Sequence, residues 1–475
     1  MFRRTDKRLV FFVLLLLASC TRIPDTLIQA SPTSSSIPTP ISSQILATEQ
    51  ASPYPPPLTV TATVPSLPSI TPSAISSDII IPTPDLPSPL PFSHLHMFNA
   101  NSGWTLHENP GPLQASDILM TSSGGLSWEI ISPTLPEGYY QGPAVSFLDS
   151  SNGIAVYVYY KELSPMPTDV RTWRTMDGGR SWQAGDVLEV QSGMIFAKQV
   201  ILDTPQHGWF FLNGDASRAA APVMLFETED GGEHWKLIYN TDDAIANSED
   251  ELWDQYTSFS DPRFTFYTST NGYFSSGGLF ITQDGGYTWH RQLLPPPAEF
   301  PDLDEQLRNM NLTDTLSTPR FSSAIDGVLI RRLYSRSQVE QAGGYTVLPE
   351  QEFLYYTHDG GQTWMSHPSP AKIGTVFFLD AQQGWYVGKD DLDPSVLPQV
   401  FQTQDGGKHW YLLDSKNSPP LGSEIQFVDG QNGFANSLLG SYYRTFDTRS
   451  GSEPQLYITK DGGVTWEITE FKLSH

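Results

Sequence analysis

An eight-residue motif recurs along this chain and limits its possible folds more than any other feature. Thr175-Met176-Asp177-Gly178-Gly179-Arg180-Ser181-Trp182 returns as Thr228 to Trp235, Thr282 to Trp289, Thr357 to Trp364, Thr403 to Trp410 and Thr459 to Trp466. An earlier copy, Thr121 to Trp128, carries Ser123 in place of the aspartate. Each octamer has a partner upstream: an alternating apolar run, a polar turn, then glycine followed by an aromatic or aliphatic residue. Val145 to Asp149 before Gly153, Val376 to Asp380 before Gly384-Trp385, and Ile425 to Asp429 before Gly433-Phe434 are the clearest cases. Weaker versions precede Gly103-Trp104, Gly208-Trp209, Gly272-Tyr273 and Gly327-Val328, which brings the count of units to seven.

Short period-2 runs bounded by glycine and aspartate signal strands, and each unit supplies four. In the sixth they are predicted at Thr375 to Asp380, Gly384 to Gly388, Val400 to Gln404 and His409 to Leu413. Four-stranded antiparallel sheets repeating about every 50 residues are the blades of a β-propeller. A single blade cannot bury both of its faces, so the sequence predicts an all-β, seven-bladed ring in which blade stacks on blade. The units are in phase from Leu95 to Phe98 at the start to Thr465 to Phe471 at the end. This predicts closure by side-chain packing between the first and seventh blades, with no exchanged strand.

Within each octamer, Asp-Gly-Gly permits a tight turn with positive φ, the aspartate accepts backbone N–H groups, and Thr or Ser fixes the other arm. The tryptophan is the larger contribution, since burying a ring of ~150–250 Å² at ~25 cal/mol/Å² is worth at most about 4–6 kcal/mol. The pairs Asp177 and Trp182, Asp230 and Trp235, Asp284 and Trp289, Asp359 and Trp364, Asp405 and Trp410, and Asp461 and Trp466 are therefore assigned to the scaffold. Of the twelve tryptophans, seven end octamers, Trp104, Trp209 and Trp385 follow strand-two glycines, and Trp173 lies on a third strand. Trp253 alone falls outside the scaffold.

The N-terminus carries a different signal. Arg3, Arg4, Lys7 and Arg8 precede the apolar run Leu9 to Leu17 and then Leu17-Ala18-Ser19-Cys20. This is the order of a secretory signal, and the apolar run is about half of the ~20 residues a spanning helix needs. Leu-Ala-Ser-Cys resembles the lipobox of bacterial lipoproteins, which implies cleavage after residue 19 and acylation of Cys20, the only cysteine. Residues 20–92, rich in Pro, Ser and Thr as in Ser52-Pro53-Tyr54-Pro55-Pro56-Pro57, have too little apolar surface to offset chain entropy and are expected to form a disordered tether. The propeller is expected over 93–475. The expected location is extracytoplasmic, with the membrane met through the lipid anchor only. The chain's formal net charge is −25, which argues against nucleic acid or anionic lipid as a partner and fits one that meets cations or basic surfaces.

In an up-and-down blade, the turns joining strands one to two and three to four share one ring face. The long connections lie on the other: Asn240 to Pro262, Leu293 to Pro319, Leu333 to Glu350, Lys389 to Pro398 and Leu438 to Pro454. Function concentrates on loops carried by a rigid scaffold, so this face is the expected binding surface. Its candidate residues are Trp253, which sits among acids, the basic cluster Arg331, Arg332 and Arg336, and the aromatic-basic cluster Tyr442, Tyr443 and Arg444. No two histidines have metal-ligand spacing and no phosphate loop appears, so neither metal nor cofactor is expected. Lys389-Asp390-Asp391-Leu392-Asp393 is acidic enough for weak calcium binding but lacks the spaced glycine of an EF-hand.

The octamers resemble the Asp-box (BNR) motif of sialidases, sortilin-type receptors and related propellers. The whole repeat resembles the propeller family of photosystem II stability and assembly factors, best over Val376 to Gly388 with Thr403 to Trp410. That resemblance implies a seven-bladed ring that binds partner proteins and catalyses nothing. The photosynthetic members are thought to use an arginine-rich surface, whereas this chain is acidic, so no photosystem partner is carried over. Two alternatives compete: a surface protein that binds glycans through Tyr442, Tyr443 and Trp253, and a glycoside hydrolase of the sialidase or xyloglucanase type. A sialidase needs a Phe-Arg-Ile-Pro motif in its first blade and has six blades, and the only Arg-Ile-Pro here is Arg22-Ile23-Pro24. Xyloglucanase-type enzymes place two carboxylates across a cleft between two propellers, and this chain has one.

Overall fold

The structure, a computed structural model, describes residues 92–474 apart from 108–114, 162–166, 168, 190–194, 215–222, 242–262, 276–277, 310, 343–346, 394, 438–454 and 470–472. These residues form a seven-bladed β-propeller in which the antiparallel strands of each blade come from one continuous segment with the first strand innermost, and the sheet of blade one takes one further strand from the C-terminus. Blade six shows the pattern, with strands Ile373–Phe378, Gly384–Lys389, Gln399–Thr403 and Tyr411–Leu412 paired in order. Blade five departs from it. Its inner position is shared by Leu312–Leu316 and Arg320–Phe321, both paired with the long second strand Gly327–Ser335. The stretch from Leu293 to Pro319, expected to be loop, thus contains an inner strand and a short helix, Leu303–Arg308, whose Leu303 is fully buried.

The ring has no common core. Its buried residues fall into seven apolar clusters, one at each seam between neighbouring blades. The repeat unit explains why. Each octamer tryptophan packs toward the preceding blade, while the aromatic at the start of strand two packs toward the following one. Trp385 of blade six and Trp466 of blade seven meet in this way in one cluster. The glycine before that aromatic is a close-approach position. A Cβ on Gly384 would sit 2.8 Å from the ring of Phe378, the last residue of strand one. The same contact recurs between Gly433 and Phe427 and between Gly327 and Phe321.

Closure differs from the expected scheme in one respect. The blades are in phase and the seventh, Glu424–Phe427 to Glu467–Thr469, is self-contained. Side chains pack across the last seam, where Met97, Leu119 and Trp128 meet Phe434, Leu456 and Ile458. The chain then continues, and Leu473–Ser474 pairs in parallel with Trp128–Glu129, adding a fifth strand to the outer edge of blade one. Packing alone therefore does not shut the ring. The free edge of blade one offers unpaired backbone groups, and the C-terminal residues take them while Leu473 packs on the closing cluster. On the inner side Gln426 accepts from Met97 N at 2.8 Å and donates to Met97 O at 2.7 Å. Gln426→Ala leaves both backbone groups of the buried Met97 without this partner. It should lower stability by about 1–3 kcal/mol, read as a shift of the urea midpoint at constant slope, and an unchanged midpoint would show the clamp to be idle.

Candidate binding face

The two ring faces differ in how fully their polar groups are used. In every octamer the first glycine donates its N–H to the carbonyl of the strand-one-to-two turn of the same blade, as Gly178 to Ser151, Gly406 to Gln382 and Gly462 to Gln431. That places both kinds of turn on one face. Each of those partner turns is held by a side-chain oxygen accepting two backbone N–H groups, Asp149, Asp380 and Asp429 among them. Inside the octamer the threonine hydroxyl accepts from the second glycine, as Gly407 to Thr403 at 2.9 Å, and donates to the aspartate, as Thr403 to Asp405 at 2.9 Å. Glycine is needed there, with φ of +73° at Gly406 and +84° at Gly407. The other carboxylate oxygen is taken by position seven: by the hydroxyls of Ser181, Thr288, Thr363 and Thr465, and by the imidazoles of His234 and His409 at 2.7 Å.

These hydrogen bonds favour the ionised aspartates. The backbone N–H of His409, then its imidazole and the Thr403 hydroxyl, hold the Asp405 carboxyl down to about 2. At Asp230, Asp284, Asp359 and Asp461 burial opposes the shift, and the turn hydrogen bonds outweigh it. A folded-state pKa below the unfolded value means a stabilising contribution that is present above the unfolded value and lost as pH falls through the folded one. The ring should therefore lose stability as pH drops from 3.8 toward about 2. In acid titrations followed by near-UV circular dichroism, Asp405→Asn should flatten part of that loss, and a variant curve parallel to wild type would contradict it.

Of the candidate binding residues the structure describes the three arginines, and it places none of them in a loop. Arg331 and Arg332 are not in a loop but within the second strand of blade five. Arg331 is buried and pairs with Asp314 at 2.8 Å. Arg332 donates to Glu352 at 2.6 Å and to Gly374 O at 2.7 Å. Charges in a half-buried strand must be matched there, so Arg331 is neutralised within blade five and Arg332 serves its seam with blade six. Arg336 opens a short helix, Arg336–Ala342, with its backbone N–H on Asn311 O. In the acidic loop after blade six's second strand, the ammonium of the buried Lys389 donates to Asp393 O at 2.6 Å and Val396 O at 3.0 Å. The loop wraps an internal cation. Among the described residues, no group of three or more His, Cys, Asp or Glu is arranged to hold a metal ion. Trp253, Tyr442, Tyr443, Arg444 and Cys20 lie outside the described residues.

A cluster not singled out in the sequence lies at the loop-face end of blade two, where Tyr139–Phe147, Gly153–Tyr160 and Asp169–Thr175 begin or finish. The Arg171 guanidinium lies 3.7 Å from the ring centroid of Tyr159. It donates to Asp169 at 2.6 Å and to the Tyr140 hydroxyl at 3.0 Å. Tyr139, opposite Tyr160 in the register and so on the other face of the sheet, is 38% exposed. Burial pushes the Tyr140 phenol up, against the pull of Arg171. The signal for this group was present as Tyr139-Tyr140 facing Tyr159-Tyr160 across a hairpin. These residues precede and follow the pattern Val145 to Gly153 that marks this blade in the sequence.

No family model and no curated protein matches the sequence. Among solved structures the chain is similar to YCF48 bound to D1 peptide, at 16% identity and a TM-score of 0.44, over 74% of this chain and 90% of that one. It is similar to YCF48 from Cyanidioschyzon merolae, at 15% identity and a TM-score of 0.41, over 79% of this chain and 95% of that one. It is also similar to the GH74 xyloglucanase from Xanthomonas campestris, at 16% identity and a TM-score of 0.30, over 80% of this chain and 56% of that one. With every one of these TM-scores below one half, none of the likenesses assigns an activity, a ligand or a partner to this chain.

Proposed function

We propose that the chain is an extracytoplasmic scaffold, anchored through a lipid on Cys20, that binds a partner protein on the ring face opposite the octamers and carries out no reaction of its own. The observation that carries this is the blade-two cluster. Tyrosine and arginine are enriched among residues that dominate protein–protein binding energy, and here Tyr140, Tyr159 and Arg171 sit together at the end of a rigid blade, with the exposed Tyr139 on the other face of the same strand end. The octamer face offers the opposite picture, its carboxylates and glycine N–H groups being committed to their own turns.

The test is co-purification from native membranes after cross-linking. Tyr139→Ala combined with Tyr159→Ala should reduce capture of the partner at least tenfold while the ring stays folded. Met176→Asp, on an exposed position of the octamer face, should leave capture unchanged. Capture lost with Met176→Asp and kept with the tyrosine pair would move the working surface to the other face. Intact-mass analysis of the membrane form checks the anchor, with residues 1–19 absent and Cys20 acylated as the expected result.

A further inference from the structure

We propose that the seam between blades three and four carries a proton-operated latch on the octamer face: His207 ties the seam while both of its ring nitrogens hold protons, and the tie is lost when one proton leaves.

The repeat itself marks the place. The turn between strands one and two is closed by a backbone N–H donating to the carbonyl four residues on, Leu148 to Asn152, Leu379 to Gln383 and Val428 to Asn432, and the same pair in blade three is Asp203 and His207. The residue just before the octamer is Gln402 in blade six and Ile458 in blade seven, but Glu227 in blade three. Three ionisable side chains thus stand where blades six and seven have none. The turn tolerates this because Thr204 does in blade three what Asp149 does in blade two, its hydroxyl accepting the N–H groups of Gln206 and His207. Asp203 is left to the imidazole.

His207 lies between two carboxylates, with Nδ1 at 2.7 Å from Asp203 and Nε2 at 3.2 Å from Glu227. A neutral imidazole has one N–H and one lone pair, whereas the cation donates from both nitrogens. Only the cation suits both neighbours. Whichever nitrogen gives up its proton turns a lone pair on a carboxylate. The side chains of His207 and Asp203 are 20% and 19% exposed, so water reaches the ring and the proton can come and go.

Glu227 carries the tie to blade four. Its second oxygen accepts from the Tyr287 hydroxyl at 2.6 Å, and Lys236 donates to the same phenol oxygen at 3.0 Å. The bond to Glu227 pushes the Tyr287 phenol up, against the pull of Lys236, and so keeps it a donor. Glu229 of the blade-three octamer also acts on Lys236. With His207 as a cation, Asp203, His207, Glu227 and Lys236 alternate in sign; without its charge, two carboxylates face one ammonium. The imidazole also meets the buried Trp209 edge-on at 4.4 Å, and that indole stacks on Phe266 at 3.8 Å and donates to Gly285 O at 2.9 Å. Gly285 and Tyr287 belong to one octamer, so the latch and the indole hold the same turn of blade four. The closed seam favours the protonated ring. Its contribution is therefore present at low pH and lost as pH rises through the imidazole's titration.

The test uses the full chain. Two-bond proton–nitrogen spectra of the histidines between about pH 5 and pH 8 follow the charge of His207, whose signal is the one missing in His207→Asn. Hydrogen exchange of the Trp209 indole N–H, corrected for its intrinsic rate, follows the seam. In wild type the protection of Trp209 should fall about tenfold as His207 loses its proton, the size of one charge-assisted hydrogen bond. Trp385, whose indole donates to Gly462 O at the seam of blades six and seven, should keep its protection throughout. His207→Asn, which gives blade three the residue that blade seven has at Asn432, and Glu227→Gln, which keeps an acceptor for Tyr287, should each remove the pH dependence. Protection of Trp209 that stays constant while His207 titrates would overturn the latch. So would an equal fall at Trp385, which would make the loosening general to the ring, or a fall that survives in His207→Asn, which would assign it to another group.

Discussion

Trp385→Ala should destabilise the ring by about 3–5 kcal/mol, the range for emptying a fully buried large aromatic site. Trp385 is fully buried between blades six and seven. Its indole stacks on Phe427 with ring centroids 3.6 Å apart and planes within 4° of parallel, and its Nε1 donates to Gly462 O at 2.8 Å. The substitution therefore removes three things together: the apolar burial, the stacking partner of the neighbouring inner strand, and the donor that satisfies an octamer carbonyl of blade seven. Trp410 ends an octamer but is only half-buried, so Trp410→Ala should cost about half as much, because the penalty follows the apolar area removed from water. Guanidinium denaturation of both variants at matched slopes checks the ranking. A larger loss for Trp410→Ala would mean that the octamer position, and not burial at the seam, decides what a tryptophan contributes.

That ranking marks how far the sequence could be read. Period and glycine spacing are properties of neighbouring residues, so the seven units, the four strands of blade six and the in-phase blades were legible. What depended on distant partners was not. Arg331 and Arg332 look like a basic loop because their counter-ions, Asp314 and Glu352, stand 17 and 20 residues away. Leu312–Leu316 was hidden because blade five splits its inner strand and sets a packed helix in front of it. The two-residue strand Leu473–Ser474 is too short to show any period, and only the open edge of blade one gives it a place. At the candidate site, Tyr139-Tyr140 and Tyr159-Tyr160 flank the pattern Val145 to Gly153 and carry no repeat signal of their own. Alternation tells which sheet face a side chain takes, but not whether its neighbours leave it covered.

Glu352→Ala should cost about 3–5 kcal/mol, as removal of one partner from a buried ion pair does. Glu352 is fully buried between blades five and six. Its two oxygens accept from Arg332 Nε and from the Tyr386 hydroxyl, each at 2.6 Å, and Gly374 N–H approaches at 3.4 Å. Alanine withdraws the acceptor from all three and leaves the Arg332 guanidinium against Gly374 O without its carboxylate. Glu352→Gln separates shape from charge, since the amide keeps an acceptor and fills the same space. Burial pushes the Glu352 carboxyl above its ordinary range, against the pull of Arg332 and Tyr386. A folded value above the unfolded one means a contribution that is fully present below the unfolded value of 4.5 and lost as pH rises through the folded value. The glutamine variant has no such proton to lose. Its deficit relative to wild type should therefore be largest near pH 4 and shrink toward neutrality, while the alanine variant stays well below both. Urea unfolding of the three proteins across that range is the measurement. A glutamine deficit that grows with pH would show that Arg332 and Tyr386 hold the carboxylate ionised, and that the pair stabilises the seam by its charge.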